Sequence, residues 1–429
     1  MSVDHRFQHV SSHAQAQHAT ASRPATPPAG GAPPSSQPAA AAAGGLLLAG
    51  VALAAANMRP AITSLGSVLG EVRDSLGATN TWASVITAVP TVCFGLAGIL
   101  APVLSKRWGS NRVVGAALAV LTVAMVLRVV DGPFAVLAGT VVVAAAIAMC
   151  NVLIPVVVKE AFPHRVGQAT ALYTTAMACG GTAGSTFTPW LENALGGWRL
   201  ALATWAVLAL AACCVWLPAA RRQGGPAPAA ASSQPASSGG VRVLLKNPLA
   251  WAVTVYFAMQ SLVAYVVMGW LPEVFKSAGM DATTAGALLG VTLLVGIPIS
   301  MVLPQLVTRT RSQSGWAVGL ALTAIVAVLG LLLAPGSMPW VWAVVLGVGM
   351  SAFPLALVLI SERTSNAADT SRLSAMAQSI GYLIASLGPF LFGVLHELTG
   401  NWSASLATIL VVLTIQGLTG IVAGSDRTV

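Results

Sequence analysis

From residue 45 onward the chain is a succession of apolar runs of about 20 to 25 residues, separated by short polar stretches. At about 1.5 Å per residue in a helix, each run is long enough to cross about 30 Å of hydrocarbon. Twelve can be read: 45–70, 79–103, 111–130, 134–158, 166–190 and 197–217, then 248–272, 282–307, 314–334, 339–361, 372–395 and 402–424. The pattern predicts an all-α membrane protein of twelve transmembrane helices. A linker rich in Pro, Ser, Ala and Gly, 218–247, separates two sets of six, 45–217 and 248–424, and a short tail, 425–429, follows. Residues 1–44 have no apolar period and are rich in Ala, Ser, Pro, Gln and His, a composition expected to form a disordered cytoplasmic tail. His5, His9 and His13 recur there every four residues, but nothing around them would hold a helix, so no metal site is expected.

The two sets of six are copies. LGEVRDSLG, 69–77, aligns without gaps to LPEVFKSAG, 271–279, and the same offset of 202 puts Pro102 on Pro304 and Arg107 on Arg309. Near the far end of each half, ALGGW ending at Trp198 matches ELTGNW ending at Trp402. Two parallel six-helix repeats are a transporter architecture, since two similar bundles can rock about a site between them.

Composition sharpens this. The chain is 56% hydrophobic and 8% charged with a mean hydropathy of +0.80, whereas soluble domains carry roughly 25% charged residues, so a soluble enzyme is excluded. The net charge of +9 does not imply nucleic acid, because the basic residues are scattered between apolar runs. They set orientation instead. With the N-terminus inside, the outer loops hold only Arg73, Arg128, Arg199 and Lys276, Arg59 lies within a helix, and the other 16 of the 21 Lys and Arg face inward. A multi-pass protein of the plasma (inner) membrane with both termini cytoplasmic is expected. Cys93, Cys150, Cys179, Cys213 and Cys214 all fall in apolar stretches without metal spacing, so they read as buried hydrophobes.

The chemistry of the helices centres on one cation. All twelve acids fall in the tail, in loops or at helix ends, which leaves Arg59 isolated near the middle of the first helix in ANMRPAITS. An intramembrane Arg is costly and should face the bundle interior or a wet cavity. Pro60 lacks an N–H and so frees the carbonyl of Ala56, opening the helix where Asn57, Arg59 and Thr63 make a polar pocket. Arg59 is expected to hold an anionic or strongly hydrogen-bond-accepting solute, the alternative being an Arg satisfied by amides or freed carbonyls. Asn151, Tyr173 (with Thr174 and Thr175), Gln260, Tyr265, Gln378 and Tyr382 are further candidates for the site, each also readable as an interhelical hydrogen bond. Trp270 is expected in the interfacial aromatic belt, and Gly180 with Gly184 in a close helix contact. No nucleotide-binding or hydrolytic string occurs, so no enzymatic activity, cofactor or catalytic residue is expected and transport must be secondary. A proton is a candidate coupling partner, although no helix carries a central Asp, Glu or His; Glu160 and Glu362 at the cytoplasmic helix ends could titrate, the alternative being solvated end charges.

These residues carry a resemblance. The 6+6 plan is similar to the major facilitator superfamily, and NMRPAITSLG, PTVCFGLAGILAPVLSKRWG, NVLIPVVVKEAFPHRVGQATALYTTAM, GGWR, FPLALVLISERT and RLSAMAQSIGYL resemble its cyanate and 2-nitroimidazole transporter family, over about residues 46–422. The resemblance implies the major facilitator fold and a monomer in the bilayer that moves a small-molecule solute by alternating access. The solute it implies is a small anion such as cyanate, or a neutral nitroimidazole-like or drug-like compound for export. A non-transporting membrane sensor is the alternative from another class. The resemblance also assigns Lys106, Arg107, Gly109 and Arg112 to the superfamily's gating loop between helices 2 and 3, with one departure: Lys106 stands where that loop usually has Asp.

Overall fold

The computed structural model describes residues 37–130, 132–162, 165–222 and 244–429. The histidine-bearing tail up to 36 and the linker from 223 to 243 lie outside the described residues. The first half contains α1 (Gln37–Ala56), α2 (Pro60–Ser67), α3 (Leu69–Ser75), α4 (Asn80–Trp108), α5 (Ser110–Leu127), α6 (Pro133–Ala161), α7 (Val166–Leu195) and α8 (Trp198–Arg222). The second contains α9 (Pro248–Ser277), α10 (Ala282–Val307), α11 (Ser314–Leu333), α12 (Pro339–Met350), α13 (Ala352–Glu362), α14 (Ala367–Ala385), α15 (Leu387–Thr399) and α16 (Ser403–Ala423).

Eleven helical segments among the described residues are long and apolar enough to cross a membrane, with α1–α2, α12–α13 and α14–α15 each forming one broken span. The remaining place, fifth in order, belongs to α7. It is 30 residues long but carries Gln168, Thr170, Thr174, Thr175, Thr182, Ser185 and Thr188 along an otherwise apolar helix. Its polarity has a structural use, because α7 packs against the break between α1 and α2 and against α10 of the other half. Helix α1 begins at Gln37, earlier than the apolar run at 45, where an Ala-rich stretch of high helix propensity precedes it.

Local chemistry sets the helix ends. Thr79 caps α4 by accepting the Trp82 N–H at 3.1 Å, Asn247 caps α9 from Leu249 at 2.8 Å with Pro248 in the first turn, and Asp281 caps α10 from Thr284 at 3.0 Å. The fifth and eleventh spans both end on a left-handed glycine, Gly196 (φ 75°) and Gly400 (φ 70°), each two residues before a Trp that opens the next span. The internal repeat therefore reappears as repeated geometry. On the periphery, Val120, Val123 and Leu127 of α5 and Leu322, Val326 and Leu333 of α11 stay exposed, the apolar stripes a lipid-facing helix needs.

The halves meet along three pairs: α7 with α10, α4 with α14–α15, and α2 with α9. Among the described residues, the hydrogen bonds across this seam lie from the membrane centre toward the end carrying Glu71, Thr81 and Lys276. That end is the outer one on the orientation given by the basic residues. Gly286 and Gly290 of α10 sit directly on α7 there, where a Cβ on either would overlap Ser185 and Thr186, and Gly393 of α15 does the same on Ser84 of α4. Toward the other end, Leu294, Met301 and Val302 of α10 are exposed, as are Ile99, Leu100 and Val103 of α4. The end carrying Glu71, Thr81 and Lys276 is closed by these contacts.

Candidate solute site

Arg59 stands in the break of the first span, between Ala56, which ends α1, and Pro60, which begins α2. Its half-buried guanidinium crosses the seam and donates from Nη1 to the Sδ of Met268 at 3.0 Å. A thioether is a weak acceptor. No carboxylate among the described residues lies within 4.0 Å of Arg59. Close approach of α7 holds this geometry: a Cβ on Gly180 would overlap the Ala56 carbonyl oxygen, and one on Gly184 would lie 2.7 Å from the Cα of Pro60. The expected close contact of Gly180 and Gly184 is thus a contact with the break itself.

The neighbouring polar residues of the same break serve the scaffold. Asn57 is 2% exposed and donates from Nδ2 to the Leu53 and Leu208 carbonyls at 2.8 and 3.0 Å, which ties α1 to α8. Thr63 is fully buried and donates to the Gly181 carbonyl at 2.9 Å, which ties α2 to α7. Gln260 is likewise buried; its Nε2 meets the Met350 carbonyl at 2.9 Å, at the break between α12 and α13, and its Oε1 accepts from Gln416 at 2.9 Å. These three were expected to face a solute; in the folded chain their polar atoms bond backbone carbonyls of their own or neighbouring helices and, at Gln260, also a neighbouring amide.

Tyr265 and Tyr382 fall together. Their rings lie 6.3 Å apart, edge to face, and Phe94 of α4 closes the group at 5.9 Å from Tyr265 and 5.4 Å from Tyr382. Phe257 extends it, 5.2 Å from Tyr382. Arg59 is near enough for its charge to act on both phenols. The result is an aromatic wall, contributed by both halves, beside one guanidinium at mid-membrane. Beside Tyr265 lies a cavity of about 20 Å³ lined by Ala61, Thr87, Thr140 and Gly269, room for one water. Asn151, Tyr173 and Gln378 remain half-buried; Gln378 donates to Ser374 of its own helix at 2.8 Å.

Two expectations are corrected. Trp270 is 1% exposed, donates to the Pro389 carbonyl at 3.1 Å and stacks among Phe392 and Trp402, so it is a core residue of the outer C-terminal half and not part of an interfacial belt. Arg128, counted in an outer loop, is fully buried: its side chain turns back from the end of α5 to the Ala61 carbonyl at 3.1 Å, leaving Nε and Nη2 without partners. In the loop between α4 and α5, Gly109 takes φ 83°, the turn that lets α5 begin two residues after α4 ends, and the Arg107 guanidinium lies 5.6 Å over the Trp108 ring. Phe94 and Met268, which the sequence reading passed over, are apolar and carried no polarity signal; the aromatic and Met content of the spans was the trace they left.

The model of the Major Facilitator Superfamily matches residues 46–392. The chain belongs to this superfamily. Within it, the chain is 33% identical over 384 residues to the uncharacterized transporter YycB of Bacillus subtilis (strain 168), covering 89% of this chain and 94% of that one. It is 32% identical to the 2-nitroimidazole transporter of Escherichia coli (strain K12), covering 89% and 95%, and 29% identical to that organism's cyanate transport protein CynX, covering 82% and 90%. These relatives place it with the cyanate and 2-nitroimidazole transporters. The fold is also that of solved superfamily structures: a bacterial homolog of the human lysosomal transporter Spinster superposes with a TM-score of 0.74 at 15% identity over 91% of this chain and 98% of that one. The D-xylose–proton symporter gives 0.64 at 19% identity over 90% and 95%. The protein is a multi-pass membrane protein of the secondary-transporter class.

Proposed function

We propose that this transporter carries a small planar anion, of the cyanate class, across the plasma membrane by rocking residues 45–217 against 248–424 about Arg59, with both termini cytoplasmic. The observation that supports this reading is the guanidinium of Arg59, held across the seam at mid-membrane with a thioether as its hydrogen-bond partner and no carboxylate within 4.0 Å. A buried cation in that state gains most from a mobile anion, because charge-assisted bonds replace a weak acceptor and the ion enters already neutralised. One relative bears the name of a cyanate transport protein.

A second reading has its own observation. The wall of Phe94, Tyr265 and Tyr382 matches a flat heteroaromatic ring, and a nitro group would accept from Arg59 as an anion does. That reading makes the protein an exporter of nitroimidazole-like compounds, in line with the name of another relative.

Thermal unfolding of purified protein, wild type and Arg59→Gln, against cyanate, other small anions and neutral nitroimidazoles separates the two. At about 100 times its dissociation constant a ligand stabilises by about 2.7 kcal/mol, enough to move the melting curve. Stabilisation of wild type by an anion and not of the variant supports the anion reading. Equal stabilisation of both proteins by neutral heterocycles alone would overturn it.

A further inference from the structure

Arg128 is a second cation enclosed by the bundle, and the solute site described above does not use it. Its side chain is fully buried and donates from Nη1 to the Ala61 carbonyl at 3.1 Å. Ala61 lies two residues after Arg59, in the first turn of the helix that Arg59 caps. Glycine is required at 139 for this approach, because a Cβ there would lie 2.2 Å from the Cβ of Arg128. Ala61 and Thr140, the residue after Gly139, line the small cavity beside Tyr265 together with Tyr265 itself. The buried guanidinium thus stands behind residues that share a one-water cavity with the aromatic wall.

Its charge is not neutralised locally. One donor holds a peptide carbonyl, Nε and Nη2 have no partner, and no carboxylate among the described residues lies within 4.0 Å of it. α2 carries no charged side chain, and the charged residues of α5 and α6, Arg112, Lys159 and Glu160, sit at the opposite ends of those helices. The carbonyls that end α5 offset only part of a unit charge. Where water is excluded such a charge acts over several residues, so its field reaches the solute position beside Arg59. Packing alone does not call for a guanidinium here, since an apolar side chain of similar length would fill the place without two unsatisfied donors.

We propose that Arg128 is a selectivity residue: without touching the solute, it adds a second positive charge to the field at the Arg59 site and so favours anions over neutral solutes of similar size, while its bond to Ala61 steadies the turn that positions Arg59. The inference rests on the anion reading of that site.

The test is isothermal titration of purified full-length protein with cyanate and with a nitroimidazole methylated on its ring nitrogen, which cannot ionise, beside melting curves of the same samples. Removing a unit charge roughly 10 Å from an anion, at an effective dielectric constant of about 20, weakens binding about tenfold. Arg128→Met should therefore bind cyanate about tenfold more weakly than wild type, bind the neutral compound equally well, and melt no lower, because a buried charge without a counter-ion has been removed. Arg128→Lys keeps a charge but can lose its proton when buried, so relative to wild type it should recover most of the cyanate affinity at pH 6 and less at pH 9. Equal cyanate affinity in wild type and Arg128→Met would overturn the inference and leave the role of Arg59 standing. A loss shared by the neutral compound, or one that Arg128→Lys recovers at neither pH, would overturn it too, as the mark of a strut and not of a charge. Failure of cyanate to bind wild type at all would instead remove the anion reading, and this inference with it.

Discussion

The Arg59 guanidinium reaches across the seam to the Met268 thioether, 3.0 Å from Nη1 to Sδ, and this contact joins the two halves at the level of the helix break. A sulfur so weak as an acceptor is easily displaced by a better one. Met268→Leu should therefore leave anion affinity within about threefold of wild type, whereas Arg59→Gln should remove it and Arg59→Lys should weaken it about 10- to 100-fold, since an ammonium keeps the charge and loses the planar fork. Isothermal titration of the three variants with the best-stabilising anion checks the order; an Arg59→Lys affinity equal to wild type would contradict it.

A second expectation concerns how the break is held open. Gly180 has no room for a Cβ against the Ala56 carbonyl, while Gly296 of α10 has no heavy atom within 4 Å of where its Cβ would be. Gly180→Ala should push α7 off the break and lower the melting temperature sharply. Gly296→Ala should be neutral or stabilising by about 0.5–1 kcal/mol, the helix-propensity gain. Melting curves of the two single variants decide the matter, and equal effects would mean that the close approach does not constrain the helix.

What the sequence made legible follows from what lipid demands. Because backbone polar groups have no partner in hydrocarbon, run length alone located the spans, and Pro60 located the break that positions Arg59. The lone cation was legible because charge in an apolar run is rare. Its surroundings were less so. Polarity at Asn57, Thr63 and Gln260 signals that a partner exists but not which, and here the partners include carbonyls of other helices that only the assembled bundle brings near. Phe94 and Met268 look like lipid-facing residues until the fold turns them inward.

The scaffold role of Gln260 has its own signature. Gln260→Leu should strand the Met350 carbonyl and the Gln416 amide and cost about 1–3 kcal/mol, because an unpaired buried polar group loses its full desolvation energy. Gln260→Leu with Gln416→Leu should recover part of that loss. Ligand affinity should be unchanged in both, and a specific loss of affinity without loss of stability would return Gln260 to the solute site.

The ion pairs at the outer mouth predict a stability effect of their own. Lys276 joins Glu71 of one half to Glu273 of its own, so removing the ammonium leaves two carboxylates facing each other across the seam. The side chains are partly exposed, so solvent screening limits the pair to about 1 kcal/mol. Lys276→Gln should thus lower the melting temperature only slightly, yet raise several-fold the rate at which a maleimide labels Ser84→Cys, a position fully buried under Gly393 where the halves meet, since about 1 kcal/mol on a two-state closure is about a fivefold change in population. Combining Glu71→Lys with Lys276→Glu should restore a slow rate by rebuilding the pair in reverse. A fast rate in that double variant, with both single variants folded, would show that the mouth is closed by the apolar contacts of α4 with α15 and α7 with α10, and that the ions merely accompany it.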